Sequence, residues 1–277
     1  MANKTLLITG VSSGFGEALA KAALEAGHNV LGTVRREEDR QRFCALSAKA
    51  KGVLLDLGNS EQIIPTVQSF IAEHGPVDVL VNNAGYGHEG VLEESPLSAM
   101  KAQFEVNVFA AVAMIQACLP GFRQQGHGHI LNITSMGGFI TMPGIAYYCG
   151  SKFALQGISE VLSDELAPLG IHVTAVMPGS FRTDWAGRSM QRSPRSIADY
   201  DGIFDPIREA RQQKSGKQNG DPAKAAQAML SILEEAQPPA QLVLGSDALS
   251  LMRKKLTAYE TTLEQWQGLS QSTDNPL

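Results

Sequence analysis

Short apolar runs alternate along the chain with longer segments in which apolar residues recur about every 3.6 positions. The runs that predict β-strands are "KTLLIT", "NVLGTV", "GVLLDL", "VDVLVN", "HILNIT", "IHVTAVM" and "QLVLG". Helical spacing predicts helices over residues 14–26, 60–74, 97–118 and 148–167. Strands joined by crossover helices form right-handed βαβ units, so the pattern predicts a parallel sheet with helices on both faces, the doubly wound α/β class.

The chain contains no internal repeat, no low-complexity tract and no linker before residue 180, which predicts a single domain over residues 1–245. Residues 184–222 mix Arg, Ser, Gly and Pro with isolated bulky side chains. An irregular insertion of this length is usually a lid or a binding loop, and we expect it to be mobile.

The C-terminal extension, residues 246–277, carries one apolar stripe. Its members are spaced 4, 3, 4 and 3 residues apart: Met252, Leu256, Tyr259, Leu263 and Trp266. Such a stripe has to be buried. It packs on its own domain, at a subunit interface, or over the mouth of a substrate cleft.

Composition narrows the class of protein. Of the 277 residues, 43% are hydrophobic and 18% are charged, which suffices for a sizeable core. The net charge of −5 offers no basic stripe for a nucleic acid. The start "MANKTLLITG" shows no signal-peptide pattern, and no run approaches the roughly 20 apolar residues of a membrane helix, so we expect a cytoplasmic protein without membrane contact. The 3 cysteines and 6 histidines show no metal-ligand spacing, and no metal is expected.

The first strand runs into a glycine-rich turn, "TGVSSGFG" at residues 9–16. Gly10, Gly14 and Gly16 allow positive φ, close approach of a ligand to the backbone, and tight packing of the next helix on the sheet. The positive end of that helix favours a pyrophosphate. By itself the turn also fits a purely structural role, because its spacing differs from G-x-G-x-x-G.

Tyr148 and Lys152 stand four residues apart in a predicted helix and therefore share one face. A nearby ammonium lowers the pKa of a phenol from its ordinary value of about 10, which predicts a group that transfers protons near neutral pH. Tyr147 is the competing candidate, but four residues beyond it stands the uncharged Ser151.

Over residues 4–245 the sequence resembles the short-chain dehydrogenase/reductase family. The stretches that carry the resemblance are "TGVSSGFG" (9–16), "NNAG" (82–85), Ser135, "YCGSK" (148–152) and "PGSFRT" (178–183), in the family's order and spacing. The resemblance implies a Rossmann-type fold, an NAD(P) cofactor, and hydride transfer between an alcohol and a carbonyl compound.

The resemblance also implies the catalytic roles. Tyr148 would be the general acid or base on the substrate oxygen, with its pKa lowered jointly by Lys152 and a cationic nicotinamide ring. Lys152 would also bind the nicotinamide ribose. Ser135, 13 residues before Tyr148, would position the substrate carbonyl. Asn107, in a predicted helix interior, would hold a water that links the lysine to solvent.

Further residues are implied as cofactor contacts by their motifs. They are Gly10, Ser12, Ser13, Gly14, Phe15 and Gly16 in the turn; Asp56 and Leu57 after the third strand; Asn83, Ala84 and Gly85 after the fourth; and Pro178, Gly179, Phe181 and Thr183 after the sixth. Tyr148 and Lys152 belong to this set as well.

The second strand ends in "GTVRREED", with Arg35 and Arg36 where NAD-binding folds place a carboxylate. A guanidinium suits a 2′-phosphate, which predicts a preference for NADP(H). NAD(H) stays possible, since a strand end shifted by two or three residues would bring Glu37 or Glu38 to the ribose.

The resemblance also implies a set of candidate substrate-lining residues: His88, Met136, Gly137, Met142, Trp185 and Met190. Because the set is mostly apolar, it predicts a bulky apolar alcohol, ketone or aldehyde as substrate. Family members form homodimers or homotetramers through helices corresponding to residues 98–118 and 148–167, so a homo-oligomer is expected.

The alternative function is a redox-sensing regulatory protein that binds the dinucleotide without turnover. This alternative predicts that at least one catalytic position is lost, but all four are present. Epimerases and dehydratases of the extended type fit less well, because they carry a larger C-terminal substrate domain.

Overall fold

A computed structural model describes residues 3–275. Its strands are β1 (Thr5–Thr9), β2 (Asn29–Val34), β3 (Ala50–Leu54), β4 (Val79–Asn82), β5 (Gly87–Glu89), β6 (Gly128–Ile133), β7 (Ile171–Pro178), β8 (Met190–Arg192) and β9 (Gln241–Leu244). Its α-helices are α1 (Gly14–Glu25), α2 (Glu37–Cys44), α3 (Ser60–His74), α4 (Leu97–Phe104), α5 (Ala110–Gln125), α6 (Ala146–Leu166), α7 (Asp201–Gln213), α8 (Pro222–Ser231) and α9 (Ser246–Gln271).

Seven strands form one parallel sheet in the order β3-β2-β1-β4-β6-β7-β9. All seven are the strands that the apolar runs predict, and the doubly wound, Rossmann-type single domain is confirmed. The order reverses between β1 and β4, whose carboxyl ends therefore open into a crevice where ligands bind in folds of this class.

Two apolar layers enclose the sheet. On one face, α1 packs beside α8 against side chains such as Leu6, Ile8 and Val81. On the other face, α3 packs beside α5 against Leu7, Leu80 and others. Because both faces are covered, the central strands are apolar at nearly every position.

The helix predicted over residues 97–118 is interrupted. α4 and α5 are joined by one π-helical turn, Glu105–Phe109. The stretch Leu97–Gln125 is by length and composition apolar enough to span a membrane, but 56% of its most apolar window is buried inside the fold, as expected of a core helix.

Part of the segment 184–222 is regular, so the predicted irregular insertion is wrong there. Strand β8 pairs in parallel with β5, and α7 follows it. We call residues 184–213 the cap. Its predicted mobility stays a prediction.

Buried ion pairs hold the cap on the domain. The carboxylate of Glu89 in β5 is fully buried and contacts three guanidinium groups of the cap. Its oxygens lie 3.1 Å from Arg192 Nε, 3.2 Å from Arg208 Nε and 2.6 Å from Arg211 Nη1. Arg195 reaches the buried Glu94 and also the cap's own Asp205.

The apolar stripe of helix α9 is buried, as predicted, only at the start of the helix. Met252 is buried against Ile140 and Met177. From Leu256 onward, every side chain of α9 is exposed. Most of the stripe therefore lies free of the domain.

Candidate active site

The glycine turn joins β1 to α1 at the edge of the crevice. Gly10 and Gly14 have φ of 72° and 60°, a backbone conformation that favours glycine. A Cβ on Gly16 would lie 2.2 Å from the carbonyl oxygen of Gly10, so only glycine lets α1 approach the strand this closely. In the described part of the chain, residues 3–275, the side chain of Ser13 does not cap α1, and the first amides of a helix suit an anion. The turn fits the pyrophosphate of a dinucleotide.

The "NNAG" motif fixes that turn from the neighbouring strand. Asn83 Nδ2 donates to the carbonyl oxygens of Thr9 (2.8 Å) and Gly10 (3.2 Å). The backbone amides of Asn83 and Ala84 each donate to Thr9 Oγ1 at 2.9 Å. The amide of Asn83 therefore supports the turn, and its predicted cofactor contact stays a prediction. Thr9, which the sequence analysis overlooked, links the two motifs.

All four predicted catalytic residues are buried at this edge of the sheet: Tyr148 (7% exposed), Lys152 (5%), Ser135 (8%) and Asn107 (1%). Lys152 Nζ lies 5.9 Å from the centre of the Tyr148 ring and donates to the carbonyl oxygen of Ile133 at 2.8 Å. Ser135 Oγ accepts a bond of 3.0 Å from the Gly137 amide, and its hydroxyl lowers the pKa of the Tyr148 phenol.

Asn107 lies in the π-helical turn, a feature frequent at functional sites. Its side chain pairs with both backbone groups of Tyr86 at 3.1 Å and donates to Ser151 Oγ at 3.0 Å. A Cβ on Gly85 would lie 3.1 Å from Asn107 Oδ1 and 3.6 Å from Lys152 Nζ. Asn107 thus joins the strand β4 exit to the helix that carries Tyr148 and Lys152.

The pKa values of Tyr148 and Lys152 both differ from the ordinary values of a phenol and an amine. Burial raises the pKa of Tyr148 above its ordinary value, although the hydrogen bond with Ser135 opposes the rise. Burial also lowers the pKa of Lys152 to about 8. Burial therefore keeps the phenol protonated in the protein alone, and the lowering of its pKa by Lys152 together with a cationic nicotinamide ring stays a prediction.

Apolar side chains surround the Tyr148 ring. Trp185 of the cap stacks on it at a tilt, with ring centres 4.9 Å apart. Met142 packs in the same cluster, and Met190 packs on Gly87 beside Trp185. A Cβ on Gly137 would lie 3.3 Å from the ring, so Gly137 belongs to this wall. Trp185 Nε1 is buried, and no hydrogen-bond partner for it lies within residues 3–275.

Two of the predicted lining residues, His88 and Met136, make other contacts within the fold, and their role at the substrate stays a prediction. His88 is buried, bonds Ser193 Oγ at 3.0 Å and stacks on Tyr147 at 5.0 Å, because alternate residues of β5 face opposite sides. Met136 packs against the cluster that contains Met252.

At the end of β2, Arg35 is exposed and forms no ion pair within residues 3–275. Arg36 instead turns to the buried Asp39, with Nε 2.8 Å from Oδ2, and this guanidinium holds the pKa of Asp39 below its ordinary value. Arg42, which the sequence analysis overlooked, bonds Asp39 at 2.9 Å and the carbonyl oxygen of Ser12 at 3.2 Å. Glu37 is paired with Arg40.

After β3, Asp56 is exposed and accepts a bond of 3.0 Å from the Gly58 amide. The side chain of Leu57 is buried in the core, and its predicted cofactor contact, which would be made through the backbone, stays a prediction.

The "PGSFRT" stretch faces the glycine turn from β7. Phe181 meets Phe15 edge to face at 5.1 Å, and a Cβ on Gly14 would lie 3.7 Å from Thr183 Cβ. A Cβ on Gly179 would lie 2.2 Å from Asp247 Oδ1, and that carboxylate also accepts from the Ser180 amide at 2.8 Å. Pro178, Gly179, Phe181 and Thr183 are therefore brought to the site, with Asp247 as an unforeseen support.

No group of three or more His, Cys, Asp or Glu side chains within residues 3–275 is arranged to hold a metal ion.

Comparison with known proteins places this geometry among dehydrogenases. The family model described as short chain dehydrogenase matches residues 4–193. Oxidoreductase BOA17 of Botryotinia fuckeliana is 36% identical over 269 residues, covering 96% of this chain and 98% of that protein. The 3-ketodihydrosphingosine reductase of Bacteroides thetaiotaomicron is 35% identical, covering 88% and 89% of the two chains.

A short-chain dehydrogenase from Streptomyces avermitilis superposes with a TM-score of 0.91 at 37% identity and covers 99% of both chains. A 3-ketoacyl-(acyl-carrier-protein) reductase from Brucella melitensis, complexed with NADH, has a TM-score of 0.71 at 27% identity and covers 87% of this chain and 95% of its own. A Beutenbergia cavernae structure, described as an NAD(P)-dependent gluconate 5-dehydrogenase with bound NADP, has a TM-score of 0.75 at 25% identity and covers 90% and 98%.

Proposed function

The chain belongs to the short-chain dehydrogenase/reductase family, whose members act on CH–OH groups with a nicotinamide dinucleotide, and from this premise we propose its finer function. The protein interconverts a bulky apolar secondary alcohol and its carbonyl compound, a ketone or aldehyde, and prefers NADP(H). The observation that carries the proposal is the buried phenol of Tyr148, enclosed by Trp185, Met142 and Gly137.

Each catalytic residue has a part that follows from its surroundings. Because burial keeps the proton on Tyr148 at neutral pH, the phenol donates a hydrogen bond, and then a proton, to a substrate carbonyl oxygen. Ser135 Oγ, beside the same phenol, donates the second hydrogen bond that polarises this oxygen. The bound dinucleotide supplies the hydride and, when oxidised, a positive ring that favours the phenolate in the reverse direction.

Lys152 holds a proton at pH 7, since its pKa of about 8 lies above that pH. Its amine is fixed by the Ile133 carbonyl, close to Gly85 and Asn107, where it can bond ribose hydroxyls. Asn107 positions the exit of β4 through Tyr86. Turn residues 10–16 and Thr183 hold the dinucleotide between them.

The preference for NADP(H) rests on Arg35 and Arg42. Arg35 has its charge available at the end of β2, and Arg42 lies against the carbonyl of Ser12 in the turn. Arg36 is engaged by Asp39, so of the two arginines predicted from the sequence only Arg35 is assigned to the 2′-phosphate. Glu37 is engaged by Arg40, which removes one carboxylate that would favour NAD(H).

The apolar wall supports the substrate class. A carbonyl carbon placed at Tyr148 has an indole and thioethers as neighbours. The Bacteroides thetaiotaomicron relative is named for the reduction of 3-ketodihydrosphingosine, which agrees with an apolar ketone.

A substrate panel tests the proposal: long-chain ketones, steroids, retinoids, aromatic ketones and sugars, assayed by NADPH absorbance. We expect turnover of apolar carbonyl compounds and none of sugars. Turnover restricted to sugars would contradict the apolar class. The regulatory alternative, binding without turnover, requires that no member of the panel be reduced although NADPH binds.

Oligomerisation is the further part of the proposal. Phe109 at the start of α5 and Val161 in α6 are 52% and 56% exposed, on the helices through which family members pair. Light scattering tests it, and a species of only about 30 kDa, one chain of 29.6 kDa, would contradict it.

A further inference from the structure

Ser135 lies at the start of a short loop, residues 135–140, which we call the serine loop. Within it the amides of Phe139 and Ile140 donate to the carbonyl oxygen of Met136 at 3.0 and 2.8 Å. These bonds connect the far end of the loop to the residue that follows Ser135. The position of the serine hydroxyl therefore depends on what holds Phe139 and Ile140 in place.

One side of the serine loop packs on α6, the helix that carries Tyr148 and Lys152. A Cβ on Gly138 would lie 2.8 Å from the carbonyl oxygen of Lys152, and a Cβ on Gly137 would lie 3.3 Å from the Tyr148 ring. The two glycines let the loop approach the helix more closely than side chains would allow. The distance between Ser135 and Tyr148 is thus set by how closely the loop packs on α6.

The other side of the serine loop is covered by the start of α9. Ile140 packs with Met252 of α9 and Met177 of β7 in one apolar cluster, and Phe139 packs against that cluster. Lys255, three residues after Met252, donates from Nζ to the Phe139 carbonyl oxygen. The serine loop is therefore held between α6 and α9.

The ammonium group of Lys255 lies among three aromatic rings. Its Nζ is 5.3 Å from the centre of the Phe139 ring, 5.0 Å from that of Phe153 and 5.3 Å from that of Tyr259. At such distances a cation is attracted to an aromatic ring. Phe139 belongs to the serine loop and Phe153 follows Lys152 in α6, so one cation contacts both segments that carry catalytic residues.

This placement is unusual for a lysine on a surface helix. Such a side chain normally extends into solvent, because its ammonium is strongly hydrated and fixing its long chain costs conformational entropy. Arg253 and Lys254 are exposed, whereas Lys255 is partly buried. The charge of Lys255 also acts close to the phenol: burial raises the pKa of Cys149, which follows Tyr148, and Lys255 is among the groups that oppose the rise.

We propose that Lys255 is a positioning residue of the active site, which contacts Phe139 and Phe153 at once and holds the serine loop on α6. The Ser135 hydroxyl is thereby kept directed at the substrate oxygen on which Tyr148 acts. The inference rests on the roles proposed above for Ser135 and Tyr148. It does not depend on an apolar substrate or on the coenzyme preference.

The first test needs no substrate. Hydrogen exchange of the full chain, followed by mass spectrometry, reports how often the amides of the serine loop open. Lys255→Met keeps the length of the side chain and removes its charge. We expect the peptide over residues 135–141 to exchange about 5- to 10-fold faster, through the loss of a charge-assisted hydrogen bond and of the cation–aromatic contacts. Lys254→Met, at the exposed neighbour, is the matched control and should leave that peptide unchanged. Equal exchange in the two variants would overturn the proposal.

The second test separates positioning from general stability. With NADPH and a carbonyl compound that the substrate panel identifies, Lys255→Met should lower kcat about 10-fold, because a misplaced hydrogen-bond donor stabilises the transition state less well. KM for NADPH should not change. Lys255→Arg, which keeps a cation among the rings, should restore most of kcat, and Lys254→Met should keep all of it. Thermal melting establishes that each variant is folded at the temperature of the assay.

The same substitution is then made in a Ser135→Ala background. If Lys255 acts through the serine, Lys255→Met should cost less than about twofold in kcat once the hydroxyl is gone, because the effects of coupled residues are not additive. A loss of the same size in both backgrounds, as an effect of the charge near Cys149 would give, overturns the proposal. So does full activity of Lys255→Met in the chain that retains Ser135. Full activity of Ser135→Ala alone would show that the proposed role of the serine itself is wrong, and the role of Lys255 with it.

Discussion

Replacing Glu89 by glutamine tests how the cap is held over the catalytic tyrosine. In the protein the fully buried carboxylate of Glu89 faces three guanidinium groups, from Arg192, Arg208 and Arg211, which are only 12–23% exposed. Glutamine keeps one acceptor oxygen but turns an amide donor toward Arg211. It also removes the negative charge of the carboxylate, so that three guanidinium cations lie close together without a counter-charge.

The size of the effect follows from this geometry. Breaking a buried ion pair from one side costs about 3–5 kcal/mol. Partial exposure of the arginines lets solvent screen them, so we take the lower end, about 3 kcal/mol. The entropy of unfolding is about 2.1 cal/mol/K per residue, so near the melting temperature the free energy of unfolding of a 277-residue chain changes by about 0.6 kcal/mol per degree. A loss of about 3 kcal/mol should therefore lower the melting temperature by about 5 °C.

The assay combines calorimetry with steady-state kinetics. Because the cap carries Trp185 and Met190, Glu89→Gln should raise KM for the carbonyl substrate several-fold while KM for NADPH changes little. Glu37→Gln is the matched control, since it removes a charge from a surface pair in which both side chains are over 40% exposed. The control should lose roughly 0.5 kcal/mol of stability or less and therefore melt within about 1 °C of the unmodified protein. If Glu89→Gln also melted within about 1 °C of the unmodified protein, the buried cluster would not anchor the cap.

Three further predictions concern the cofactor side. Arg35→Ala should lower kcat/KM for NADPH by about 10- to 100-fold, through the loss of one or two charge-assisted hydrogen bonds, and leave kcat/KM for NADH unaffected. Arg123→Ala, at an exposed arginine in the last turn of α5, is the control, and equal losses with both coenzymes would refute the assignment. The pH profile of kcat/KM should fall as pH rises through about 8, where Lys152 loses its proton, and Lys152→Arg should move that fall to higher pH; an unmoved limb would assign it to another group. Gly16→Ala should abolish NADPH binding, measured by fluorescence, because its methyl would meet the Gly10 carbonyl at 2.2 Å; Gly121→Ala, with nothing within 4 Å, should bind normally.

The sheet was predictable because its strands are buried on both faces and appear as unbroken apolar runs. β5 and β8 were missed, since three residues are too few to show a period. The cap was read as irregular because its anchor is formed by charges more than 100 residues apart, Glu89 with Arg192 and Arg211. A π-helical turn is likewise invisible to a 3.6-residue pattern.

The core of the site was predictable from local spacing, above all the four-residue step from Tyr148 to Lys152. Residues that act through backbone atoms were not, because a carbonyl or amide leaves no sequence signal: Thr9 binds the amides of "NNAG", and Arg42 binds the Ser12 carbonyl. The sign of the Tyr148 pKa change was also out of reach, since it depends on how completely Trp185 and its neighbours exclude water.

The central claim is that the phenol of Tyr148 transfers the proton in a nicotinamide-dependent reduction. The most direct measurement compares NADPH-dependent turnover of Tyr148→Phe with that of Tyr147→Phe. In the unmodified protein the Tyr147 hydroxyl donates to the Ser95 carbonyl at 2.8 Å. The account predicts a loss of about 100- to 10,000-fold in kcat for Tyr148→Phe with unchanged NADPH binding, and near-normal turnover for Tyr147→Phe. Undiminished turnover by Tyr148→Phe would contradict it.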